Sequence, residues 1–205
     1  MLIISNIMPM SAFAAEDMTK ETGIVVSNDD RNQVITITGE ENIKVYQASL
    51  GETYNPNLIA VKRTINNTYS NRETDITLFF IFREYYVKNK RVTTSTDFSE
   101  VLRKYNRPAG KVKISQGVSI TTSYNAEAGI SAKLLESKLG FSVSSTDTFQ
   151  IEWEGTYSYP VTLKVYPIYQ NITGEIWDED IKYDDFVGKF TVKRALGDDV
   201  RVYRQ

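Results

Sequence analysis

Residues 111–124 read KVKISQGVSITTSY, and their alternation decides the fold. Val112, Ile114, Val118 and Ile120 share one side of a period-two strand with Gln116 and Thr122, while Ser and Thr mainly fill the other. Residues 141–153, FSVSSTDTFQIEW, return to that rhythm through Phe141, Val143, Ser145, Asp147, Phe149, Ile151 and Trp153. Between the two, residues 125–140 put Ile130, Leu134, Leu135 and Leu139 on one face of a short amphipathic helix, with Asn125 as its N-cap and Gly140 at C′. Residues 111–153 thus read as a strand–helix–strand unit.

The rest of the chain has the same β character. Residues 23–26 and 33–38 read as a hairpin turned at Asn28-Asp29-Asp30, and residues 43–48 and 58–65 as further strands around a loop at 51–56. Residues 75–87, DITLFFIFREYYV, form the most apolar strand, with Phe80 in its middle. Residues 98–105 read as a short helical turn. Residues 159–172, 186–194 and 199–203 read as strands, with Pro160 and Pro167 marking an edge or a bulge. The expected fold is mainly β, a single-domain antiparallel sandwich over residues 15–205 with one short helix.

Residues 1–15, MLIISNIMPMSAFAA, have the form of a secretory signal peptide cut after Ala14, although no charge precedes Glu16 and the basic n-region is missing. The expected location is therefore extracellular or in the cell envelope. The sequence has no Cys and no His, a combination that excludes disulfides, Ser-His-Asp triads, Cys nucleophiles and His-ligated metals. A formal charge of −2 gives no general attraction to nucleic acid.

The stretches GVSITTSYNAEAGIS (117–131) and LGFSVSSTDTF (139–149) resemble segments of small exported proteins of Gram-positive bacteria. More loosely, the unit resembles the insertion segment of aerolysin-type β-pore-forming toxins, which is Ser/Thr-rich, amphipathic and disulfide-free. That resemblance implies a membrane-active hairpin whose lipid-facing set is Ile114, Val118, Ile120, Phe141, Val143, Phe149 and Ile151, together with Val112. The sequence departs from the toxins in placing a charged helix, with Lys133, Glu136 and Lys138, where a hairpin tip would be.

Two further clusters carry chemistry. Lys88, Lys90, Arg91, Arg103, Lys104 and Arg107 read as a basic surface for an anionic wall polymer or lipid headgroups. Asp178, Asp180 and Asp184, beside Glu175, are the one candidate calcium site, and they lack EF-hand order. The leading functional expectation is a non-catalytic exported protein that binds a surface polymer, glycan or protein partner. A small pore-forming protein comes second, the only reading with a membrane as partner, and a carboxylate-dependent hydrolase third.

Overall fold

The computed structural model describes residues 23–29, 31–66, 84–179 and 184–205. Residues 1–14, Phe80 and Asp180 lie outside them. The mainly β, antiparallel fold expected from the sequence is what forms, with two helices rather than one among the described residues.

Two strands make the spine. β9 (Val161–Glu179) and β10 (Asp185–Arg204) pair antiparallel from Val161↔Arg204 to Asp178↔Asp185. At about 3.4 Å per residue the pair runs roughly 60 Å. The free flank of β10 carries β3 (Leu58–Asn66) along one half, continued by β2 (Asn32–Thr38) and β1 (Gly23–Asn28), and the short β7 (Ser123–Ala126) along the other. The free flank of β9 carries β5 (Arg103–Arg107) and then β4 (Glu84–Thr96). Pro167 sits in the gap between these two. β5 stops at Val165 and β4 at Ile168, and the Pro167 carbonyl, on that flank, accepts from Asp97 N–H at 3.0 Å. The missing proline N–H therefore points where no neighbouring strand needs it.

A second, two-stranded sheet lies on the first. It pairs β6 (Gly110–Thr121) with β8 (Thr146–Tyr157) without a slip, from Gly110↔Tyr157 to Thr121↔Thr146. Its inward residues pack on Val161, Leu163 and Val165 of β9, Val200 and Val202 of β10 and Ala60 of β3. Residues on opposite sides of a strand face opposite sides of the sheet. Ile172 and Ile176 of β9, and Phe190 and Val192 of β10, therefore point away from this layer, and α2 (Ala132–Leu139) packs there. α1 (Glu40–Ser49) covers Val61 through Ile43 and Tyr46, also on the side away from β6 and β8.

Several elements differ from the sequence reading. Residues 43–48 are helical: Gly39 enters at φ 88°, Glu40 and Glu41 complement the N-terminal dipole, and Ile43, Tyr46 and Gln47 are buried at helical spacing while Val45 faces solvent. α2 starts at Ala132, capped by the Ser131 hydroxyl accepting from Leu134 N–H at 3.2 Å, so Asn125 belongs to a strand. Its end at Gly140, in the left-handed region at φ 77°, is as read. Residues 103–107 form a strand, and residues 186–194 and 199–203 belong to one strand with a bulge between Ala195 and Gly197.

Candidate functional site

The β6–β8 pair separates its side chains by polarity. Val112, Ile114, Val118, Ile120, Phe149, Ile151 and Trp153 all face the large sheet, each at most 8% exposed. The other face holds Lys111, Lys113, Ser115, Ser119, Thr121, Thr148, Gln150 and Glu152, all exposed. Every β6 residue has its main-chain partner in β8, so the layer is held to the large sheet by side chains and a few polar ties. One such tie is Lys62 of β3, whose Nζ donates to the Glu152 carbonyl of β8 at 2.8 Å.

Thr122 is the joint of the unit. Its N–H donates to the Ser145 carbonyl at 2.8 Å, and its hydroxyl accepts from Ala195 N–H at 3.0 Å. At this residue the chain leaves the small sheet and enters β7 on the flank of β10. Residues 122–145 thus pass around the sheet edge, set α2 on the far face and return to β8. Phe141 and Val143 follow them. Neither is in a strand, and both pack in the α2 cluster, with the Arg194 guanidinium 3.9 Å from the Phe141 ring centroid. They leave the expected lipid-facing set because Gly140 turns the chain before the alternation begins at Thr146.

The basic residues do not form one surface. Lys88 and Arg91 lie on β4 opposite Glu175 and Thr173, with Lys90 between them, whereas Arg103, Lys104 and Arg107 lie on β5 opposite Val165, Lys164 and Val161. Thr173 and Val165 are about 26 Å apart along β9. Lys88 is already engaged, 3.1 Å from Asp184 and 4.3 Å from the Trp177 ring centroid. The same Asp184 carboxylate accepts from the Tyr86 hydroxyl, and these two contacts, Tyr86 first, hold its pKa below the ordinary value. Asp178 stands opposite Asp185 across the strands. Among the described residues no three acidic side chains converge on a cation site.

Sequence reasoning missed a buried ionic cluster. Asp199 is fully buried on the α1 side of β10, where Tyr46 donates to it at 3.1 Å, and Arg201 beside it makes a two-pronged bridge to Glu52 at 2.7 and 2.8 Å. Burial raises the Asp199 pKa, against the opposing pull of Arg201 and Arg63. Its neighbour Asp198, 1% exposed, points the other way, with Val200, Val202 and Lys62, beneath the small sheet. From the sequence, Asp199 reads only as the start of a strand over residues 199–203, and Asp198 is not singled out. No protein-family model and no curated protein matches this chain.

Proposed function

We propose that this chain is an exported β-pore-forming protein in which β6 and β8 leave the large sheet and enter a membrane as a hairpin. The observation that carries the reading is the segregation of apolar and polar side chains over two fully paired strands, interrupted on the inward side only by Gln116 and Asp147. A spanning strand needs about 9–11 residues, one lipid-facing side and one water-facing side. Each strand here has 12 residues. The hairpin satisfies its own inner main-chain groups, but its two outer edges need neighbours in a bilayer, so several copies must close a barrel. The Ser/Thr-rich, cysteine-free character shared with aerolysin-type insertion segments supports the same reading. The energetic cost of leaving the sheet is side-chain burial, which lipid returns.

Dye-loaded phosphatidylcholine–phosphatidylglycerol vesicles test this directly. The full chain should release the dye and form oligomers resistant to mild detergent. Fluorophores on cysteines at Val118 and Ser119, labelled in denaturant and refolded, should then diverge on vesicles that carry brominated acyl chains: lipid bromine should quench position 118, which leaves a protein core for the lipid core, and not position 119. Absence of leakage, or equal quenching, would sink the proposal. Vesicle or cell-wall binding without leakage would favour the surface-binding alternative, for which the exposed residues Lys90, Arg91, Arg103, Lys104 and Arg107 are the support.

A further inference from the structure

We propose that Asp198 is a proton-operated lock on the hairpin: with a proton it holds β6 and β8 down, and ionised it loosens them. The meaning of the lock for activity rests on the pore-forming reading, whereas the lock itself is a property of the folded chain.

The geometry comes first. Asp198 lies in β10 opposite Thr64 of β3 and Pro167 of β9. Residues paired across a sheet share a face, so Asp198 shares its face with Val200, Val202, Lys62 and Ala60, the face the hairpin covers. Its Oδ1 has no hydrogen-bond partner among the described residues. The buried inward residues of the pair, Val112, Ile114, Val118 and Ile120 of β6 and Phe149, Ile151 and Trp153 of β8, are apolar. Gln116 on that side is exposed and accepts from the Tyr105 hydroxyl, the half-buried Asp147 accepts from the Ser145 hydroxyl, and β9 offers only Pro167 opposite Asp198. Among the described residues Lys62 is the one cation acting on Asp198, and its ammonium is turned to the Glu152 carbonyl of β8. Asp199, next in the chain, adds a like charge, and the Glu152 carboxylate acts on Lys62. An ionised Asp198 therefore lies under the hairpin with little to compensate its desolvation.

Burial accordingly pushes the Asp198 pKa up to about 7, with Lys62 opposing and Asp199 reinforcing. Lifting the hairpin returns the carboxyl to water and to an ordinary value near 4. The docked state thus binds the extra proton. Docking is strongest in acid and is lost as pH rises toward 7, the reverse of an acid-triggered release. Lys62, lowered by its own burial, contributes in the opposite sense.

Native-state hydrogen exchange reads the opening without a membrane. Between pH 5 and 7, protection of the β6 and β8 amides, corrected for intrinsic rates, should fall about fiftyfold from the Asp198 shift alone. Amides of β1 and β2 should not follow. Asp198→Asn, similar in shape and unable to ionise, should abolish the slope. A flat wild-type profile, or a slope that survives in Asp198→Asn, would overturn the lock. The wild-type profile decides the matter even if the variant does not fold. Leakage from the same vesicles should rise over this pH range. Exchange that shows the slope while vesicles stay sealed at every pH would leave the lock standing and remove the pore-forming reading instead.

Discussion

The protein contains two long antiparallel pairs that differ in how they are held. β9 and β10 are bonded to each other and, on their outer flanks, to β3, β7, β5 and β4, and core clusters lie on both their faces. Among the described residues β6 and β8 form a main-chain ladder only with each other, with side-chain ties such as Lys62 to the Glu152 carbonyl, and bury one face. Unpairing the first costs main-chain hydrogen bonds along both flanks together with two cores. Removing the second as a unit leaves its own ladder intact and exposes mainly apolar side chains. That exposure is costly in water and mild in a bilayer, so on the proposed pore-forming reading one pair is a frame and the other the movable element. Residues 122–145 restrain the movable pair, since β7 and α2 anchor them to the frame from the far face.

The sharpest way to break the frame is Gly197→Ala. An added Cβ would lie 1.8 Å from the Thr64 carbonyl oxygen, a backbone atom of β3 that cannot turn aside. The bulge between Ala195 and Gly197, which lets β10 pass from pairing β7 to pairing β3, depends on that closeness. We expect a loss of at least about 4 kcal/mol, seen as insoluble protein or a collapsed denaturation midpoint. A midpoint within measurement error of wild type would mean that the two strands are not this close.

The joint between the two regions should respond less. Thr122→Val keeps the shape and removes the acceptor for the buried Ala195 N–H. The cost should be about 1–3 kcal/mol. It should appear as faster exchange in β6 and β8 more than in β1 and β2, because the lost bond ties the movable pair to the frame. A uniform loss across the chain would show that Thr122 serves only general packing.

The two regions also differ in how well the sequence exposed them. The alternation at 111–121 and 146–153 was readable because one face of each strand meets a core and the other meets water. The length of β9 and β10 was not. Pro167 reads as an edge or a bulge and residues 186–194 and 199–203 as separate strands, yet Pro167 falls in a gap between neighbouring strands and the two segments join through a buried bulge. Helix α1 was read as a strand because Ile43 and Val45 alternate, and only Tyr46 and Gln47 packing on the sheet side discriminates the two periods. The lock residue was invisible for a similar reason. Nothing local distinguishes Asp198 from Asp199, and which lies under the hairpin follows from register with Lys62 and Ala60, a long-range property.

The smallest effect is expected on the outward face of the movable pair. Lys111 Nζ lies 2.7 Å from Glu154 Oε1, with the lysine side chain 67% exposed. Water and salt screen such a pair, so Lys111→Gln should change stability by less than about 1 kcal/mol. A null result there would carry information, because the inward face obeys a different rule: truncating Ile151, which is 1% exposed, removes core volume and should cost several times more. If this inequality holds, the polar face contributes little to the docked state. Its composition is then free to suit the water-filled interior that a barrel would need. If Lys111→Gln instead costs as much as an inward truncation, the outward face is part of what holds the layer down, and the division into a stabilising face and a spare one fails.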